Sequence, residues 1–286
     1  MTIGVWLQTW LELYVAPADL AESTKACYTR SVRAFFLSPL AAMPLEAVTV
    51  FDLRRWLLQV AQQHPRAAQL DRVMLMQALR LASKAGLAPQ SLSDPDLLPV
   101  IKHKARRASV LTQGQLRAYF AAACADTETL ALAMMAIGLR RSEALGVTWA
   151  AVDLAAGTLS VLGQRLPGED RVSPCKTASS VRTLALPEAL RAALRRSPRP
   201  ITGGWVCPVS HRQVYRLHAA LLQRLGLPSV TLHGLRHSFA TAAVLDGIPI
   251  KVLQGALGHA SYQITADLYA DHLPAVSAVS REVFSA

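Results

Sequence analysis

The residues best suited to chemistry fall in one window, Thr231 to Leu273, with the sequence TLHGLRHSFATAAVLDGIPIKVLQGALGHASYQITADLYADHL. Its spacing predicts that His233, Arg236, His259 and Tyr269 bring their polar ends together on a helical scaffold. Leu235 to Leu245 is an Ala-rich apolar run of helical character. His233 and Arg236 are therefore expected near its N-terminal turn, where the helix dipole and unpaired backbone N–H groups favour an anion such as phosphate. Gly247 and Pro249 break the chain. Ile250, Leu253 and Leu257 then repeat at helical spacing and Gly258 stops that helix, so His259 opens a new segment. From Tyr262 to His272, Ile264, Leu268 and Tyr269 alternate with Asp267 and Asp271. That pattern lets Tyr269 lie on one edge of an amphipathic helix and point back at His259. The set suits catalysis on a bound phosphate.

Two further stretches carry candidate chemistry. In AMMAIGLRRSEALGVTWAAVDL an apolar helix from Leu130 is expected to end at Gly138. Arg140 follows at a sharp break, Ser142 is expected to cap the next helix, and Glu143 falls in its first turn, buttressing the turn rather than touching substrate. An arginine there can hold two phosphate oxygens at once and stays charged. In KTASSVRTLALP, Lys176 sits at the end of an extended run.

These motifs together resemble the tyrosine recombinases, or phage integrases. LHGLRHSFAT followed by LGHASYQITADLYADHL is similar to the family's second conserved box, and AMMAIGLRRSEALGVTWAAVDL to its first. KTASSVRTLALP looks like the family's K-T-x-x-S-x-R-x-x-x-L-P run, which carries a catalytic lysine on a hairpin. The resemblance implies the catalytic set Arg140, Lys176, His233, Arg236, His259 and Tyr269, with Arg141 a bystander. It further implies that Tyr269 attacks a DNA phosphodiester to form a covalent 3′-phosphotyrosyl link, releasing a 5′-hydroxyl, with neither metal, ATP nor another cofactor. Arg140 and Arg236 would stabilise charge on the non-bridging oxygens. His233 would help deprotonate Tyr269, Lys176 would protonate the leaving oxygen, and His259 would donate a hydrogen bond to the phosphate. The chain departs from many relatives at Ile137, where Thr is common, and at Leu232, where Pro is common. Both are backbone-support positions.

Composition agrees with a DNA partner. A formal net charge of +11 over 286 residues favours a polyanion, and 52% hydrophobic content can fill the cores of two domains. Cys27, Cys124, Cys175 and Cys207 are scattered without metal-ligand spacing, which reads as reduced thiols in a cytoplasmic protein. No Lys or Arg precedes Lys25, so no secretory signal is expected, and the apolar run Leu130 to Leu139 is too short to span a bilayer.

The elements that must position the candidate residues follow from periodicity. Ile3–Tyr14, Ala21–Phe36 behind Ser23 and Thr24, Thr49–Gln62 capped by Thr49, and Ala67–Ala85 closed by Gly86 read as four helices. They define a small helical domain over residues 1–87. The resemblance likens it to the core-binding domain of recombinases. Residues 88–108, with Pro, Ser and Asp followed by Lys102, Lys104, Arg106 and Arg107, read as a basic linker. Residues 109–286 form the catalytic domain, opening with a helix capped by Thr112. TLSVLGQ, RVSPCKT and VRTLALP read as three short strands of one small antiparallel sheet, followed by helices at Glu188–Arg196 and Val209–Arg224. Val276, Val279 and Val283 suit a terminal amphipathic helix. The expected fold is mainly α with a small antiparallel β-sheet in the C-terminal domain, a two-domain DNA clamp.

The expected partner is double-stranded DNA bearing a specific recombination site. The protein is expected to be a monomer when free and a homo-tetramer on synapsed DNA, with accessory DNA-bending proteins, association with the nucleoid and no membrane. Two rivals fit the same residues: a type IB-like topoisomerase and a non-catalytic DNA-binding protein.

Overall fold

A computed structural model describes residues 1–94, 96–102, 109–175, 177–200 and 204–258. The chain divides into two compact units, Met1–Arg106 and Arg107–Ala286.

The first unit is helical: α1 (Ile3–Trp10), continued by a π-helical turn over Leu11–Val15, then α2 (Glu22–Phe36), α3 (Val50–Gln63) and α4 (Pro65–Lys84). Thr49 caps α3 as expected: its hydroxyl accepts the N–H of Asp52, and the Asp52 carboxylate reaches back to the N–H of Thr49. At α2 the cap differs from expectation. The helix starts at Glu22 behind Ala21, so Ser23 and Thr24 lie within it and cap nothing. Pro65 opens α4, where its missing N–H costs no hydrogen bond. The core is made by Leu7, Phe35, Leu53, Leu57, Leu75 and Leu79, all fully buried. The indole of Trp6 donates to the carbonyl of Ala78 at 3.0 Å, tying α1 to α4. Leu92 and Leu98, in the stretch expected as linker, are buried in this same core. The amide of Gln69 also donates to the carbonyl of Ile101. Of the basic residues expected there, Lys104, Arg106 and Arg107 lie outside the described residues.

The second unit runs α5 (Gln113–Ala123), α6 (Leu130–Ala136) and α7 (Arg141–Leu145). The strands follow: β1 (Val152–Asp153), β2 (Thr158–Val161), β3 (Gly163–Gln164), β4 (Ser173–Pro174) and β5 (Arg182–Ala185). It closes with α8 (Glu188–Arg196), α9 (His211–Arg224), α10 (Leu232–Leu245) and α11 (Ile250–Leu257). Helix α6 is apolar on every face, and each residue from Leu130 to Met135 is fully buried, so it forms the hub of the core. The Ser238 hydroxyl donates to the carbonyl of Gly234 and accepts the N–H of Leu111, fastening α10 to the entry of α5. The buried phenol of Tyr119 donates to His218 Nδ1 at 2.7 Å, while His218 Nε2 donates to the carbonyl of Val230 at 2.8 Å. Three elements are thereby joined through one neutral imidazole.

The sheet is more divided than the strand pattern predicts. Strands β1, β2 and β5 form one antiparallel sheet in that order, while β3 and β4 form a separate hairpin. TLSVLGQ thus breaks at Leu162. RVSPCKT contributes only two paired residues, one of them Pro174, which has no N–H to offer a longer ladder. Among the described residues no helix is long and apolar enough to cross a membrane.

Candidate active site

The turn between α6 and α7 builds the first part of the site. Gly138, at φ 101°, lets the chain reverse where any Cβ would meet the ring of Phe239 at 2.9 Å. Arg140 then takes the N-cap position of α7, with Glu143 three residues on accepting its N–H at 2.9 Å. This corrects the expectation that Ser142 caps the helix: the carboxylate of Glu143 already satisfies the orphan donor, and Ser142 sits inside the first turn. Glu143 is 3% exposed, and its role as a buttress is evident from its partners. Its Oε1 lies 2.6 Å from Arg140 Nη1, and its Oε2 lies 2.9 Å from Arg182 Nη2 and 4.0 Å from Arg236 Nη1. Burial alone would raise its pKa. The hydrogen bond and charge of Arg182, then the bonds from Arg140, outweigh that and hold the carboxyl below its ordinary value.

The same three arginines close the end of α11. Helix C-termini leave carbonyls without partners at the negative end of the dipole. Here Arg182 Nε donates to the carbonyl of Ala256 at 2.6 Å, Arg236 Nη2 to that of Leu257 at 2.6 Å, and Arg140 Nη2 to that of Gly258 at 2.8 Å. Three consecutive carbonyls thus receive three different guanidiniums. Gly258 adopts the left-handed conformation, φ 63° and ψ 46°, as its place at the end of the helix predicts. The next residue in the chain is His259.

Arg236 rises from the second turn of α10, and its other anchor is the carbonyl of Gly138 at 2.7 Å. Burial, then the charge of Arg140, pushes its pKa below the ordinary arginine value. His233 lies one turn earlier on α10, beside His237, with ring centroids 4.5 Å apart and planes nearly perpendicular. The residue keeps solvent access. Partial desolvation, then the charges of His237, Arg236 and Arg140, push its imidazole down to about 4, so it is neutral at pH 7 and able to accept a proton. Arg141, by contrast, stacks over the ring of Tyr215 and hydrogen-bonds its hydroxyl.

Of the residues predicted from sequence, Arg140 and Arg236 meet around Glu143, and their charges act on His233. Lys176, His259 and Tyr269 lie outside the described residues, as do the helix expected over 262–272 and the tail after it. Arg182 was not expected as part of the site. Its place in KTASSVRTLALP was visible, but on a strand it reads as an ordinary surface cation. In the fold its side chain is buried at 7% exposure. Three guanidiniums against one carboxylate leave an excess of two positive charges, suited to a phosphodiester. Among the described residues no group of His, Cys, Asp and Glu is arranged to hold a metal ion.

The geometry agrees with the relatives of the chain. Residues 109–275 match the phage integrase family. The chain is 28% identical to tyrosine recombinase XerD of Xanthomonas axonopodis pv. citri, covering 91% of this chain and 90% of that protein. It is 30% identical to tyrosine recombinase XerC of Agrobacterium fabrum, covering 90% and 87%. Its fold is similar to that of the Tn1549 transposon integrase in complex with a circular intermediate DNA, with a TM-score of 0.79 over 99% of both chains at 20% identity. It is also similar to a lambda integrase dimer bound to a core site, at 0.73 over 95% and 96% with 22% identity. The chain therefore belongs to the phage integrase family and is a tyrosine-type site-specific recombinase.

Proposed function

We propose that this chain cuts and rejoins duplex DNA at a specific site through a covalent 3′-phosphotyrosyl intermediate on Tyr269. The observation that carries the reading is the convergence of Arg140 and Arg236 on one buried carboxylate at the end of α11, one residue before His259. The phenol oxygen of Tyr269 attacks the scissile phosphorus as the bond from phosphorus to the 5′-oxygen breaks. His233 takes the phenol proton, and Lys176 supplies one to the departing 5′-oxygen. Arg140 and Arg236 stabilise the charge gathering on the non-bridging oxygens, and His259 donates a hydrogen bond to the same phosphate. The phosphotyrosyl ester keeps the energy of the broken bond, so a 5′-hydroxyl from another strand can reverse the step without ATP.

Residues 1–87 act in this reading as a core-binding domain joined by residues 88–108 to the catalytic domain, 109–286, the two gripping one duplex. The free protein is a monomer that assembles as a homo-tetramer on synapsed sites, aided by DNA-bending proteins. The lambda integrase tetramer bound to a Holliday junction supports this assembly by analogy of fold. The protein works in the cytoplasm on nucleoid DNA.

The test begins by selecting a bound duplex from a random pool and placing a nick beside the cleavage position, so that the cut becomes irreversible. Wild-type protein is expected to give a covalent band on a denaturing gel, and Tyr269→Phe to bind the duplex without one. A covalent band persisting in Tyr269→Phe moves the nucleophile elsewhere, Tyr262 first. Relaxation of plasmid lacking the site favours a topoisomerase, and binding without any wild-type adduct favours a non-catalytic protein.

A further inference from the structure

Arg182 is held in the site as closely as the arginines expected there, yet the proposed chemistry assigns it no task. Its guanidinium uses all three nitrogens: Nη2 donates to Glu143, Nη1 to the carbonyl of Ser180 at 2.8 Å, and Nε to the carbonyl of Ala256. It therefore joins three pieces of chain, the buttress of α7, the turn leading into β5, and the C-terminus of α11. We infer that Arg182 is a positioning residue of the recombinase. It fixes the backbone from which His259 departs, and it occupies Oε2 of Glu143 so that Arg236 stays available to phosphate. The inference rests on the proposed function.

Two features of the geometry support this. Glu143 Oε2 lies 2.9 Å from Arg182 but 4.0 Å from Arg236. Without the nearer cation, the carboxylate would draw Arg236 toward itself and away from a substrate. At Gly258, a Cβ would come within 3.0 Å of Arg182 Nη1 and 3.1 Å of the carbonyl of Ser179. The arginine is thus packed against the very turn that delivers the next residue. Lysine cannot replace it there, because one ammonium lacks the planar fork that reaches three acceptors in fixed directions.

The experiment measures the single-turnover rate of adduct formation at saturating nicked duplex, duplex affinity, and thermal melting for wild type, Arg182→Ala and Arg182→Lys. Misplacement of catalytic groups by about 1 Å can cost on the order of 100-fold in rate. Both variants are expected to lose rate on that scale while keeping duplex affinity within roughly twofold of wild type, since phosphate contacts spread along the duplex set affinity. Free guanidinium ion is expected to restore part of the rate to Arg182→Ala, whose cavity would admit it, and none to Arg182→Lys. Should Arg182→Ala fail to fold, Arg182→Lys decides, because it keeps a cation against Glu143. A full rate in Arg182→Lys reduces the role to charge and overturns the inference. So does a loss of rate matched by equal loss of affinity and melting, with no response to guanidinium. Wild type without an adduct overturns the recombinase reading and this inference with it. Adduct undiminished in both variants overturns this inference alone.

Discussion

Oε2 of Glu143 lies 2.9 Å from Nη2 of Arg182, and both side chains are shut off from solvent, at 3% and 7% exposure. A buried ion pair of this kind offsets the cost of desolvation only while both partners remain. Arg140 and Arg236 draw on the same carboxylate, so its removal would leave three guanidiniums facing one another. Glu143→Gln is therefore expected to destabilise the second unit by about 3–5 kcal/mol, the usual cost of breaking one side of a buried pair. Chemical denaturation followed by far-UV circular dichroism measures this, and a loss below about 1 kcal/mol, typical of a surface pair, would contradict it. The pair also carries a pH dependence. The folded pKa of Glu143 lies below its unfolded value, so its contribution is present above the ordinary carboxylate range and is lost as pH falls through the depressed value. Stability of wild type should fall in acid more steeply than that of Glu143→Gln.

His233 gives a second prediction. Its imidazole is pushed down to about 4 from an ordinary value near 6.5. Between these values the unfolded chain holds a proton that the folded chain does not. The contribution to stability is therefore present above pH 6.5 and declines as pH falls toward 4. In the folded protein, NMR titration of the His233 ring should show a neutral imidazole throughout the range from pH 8 to 5. A midpoint at 6 or above would mean that neither the partial burial of the ring nor its cationic neighbours act on it as described. His233→Gln, which cannot take up a proton, should lose adduct formation while binding duplex normally.

Gly258 yields a third. At φ 63° an L side chain is strained by about 1–2 kcal/mol, and here its Cβ would also press on Arg182 and the carbonyl of Ser179. Gly258→Ala should cost at least that much stability and displace the carbonyl that Arg140 caps. Adduct formation should fall further than duplex affinity. Equal rates for Gly258→Ala and wild type would show that this turn tolerates displacement.

The parts of the fold that could be read from sequence are those with local causes. Thr49 and Thr112 are each followed three residues later by a side chain that completes a capping box, and both start helices where expected. Gly258 ends α11 because only glycine takes its conformation without strain. Arg140 and Arg236 were legible through motif spacing. What was not legible depended on distance along the chain. Arg182 binds Glu143 across 39 positions and Ala256 across 74, and nothing within one strand announces either partner. Ser142 looked like a cap because its residue type is a common one, whereas Glu143 satisfied that donor from inside the helix. The division into two sheets turned on how little of RVSPCKT could pair, which alternation does not reveal.

The proposed function makes Lys176 the general acid, and that role can be separated from phosphate binding. An alkoxide is a poor leaving group, and a positioned proton donor typically contributes about 10²- to 10⁴-fold in rate. A thiolate leaves without a proton. With the bridging 5′-oxygen of the scissile phosphate replaced by sulfur, Lys176→Ala should recover most of the rate it loses on ordinary DNA. Arg140→Ala should stay impaired on both substrates, because charge still develops on the non-bridging oxygens whichever atom departs. Single-turnover adduct formation on the two substrates, for wild type and both variants, makes the comparison. If Lys176→Ala shows the same defect on each, the lysine holds the phosphate rather than protonating the leaving group. The acid must then be sought at His233, once it holds the proton taken from Tyr269, at His259 or at a bound water.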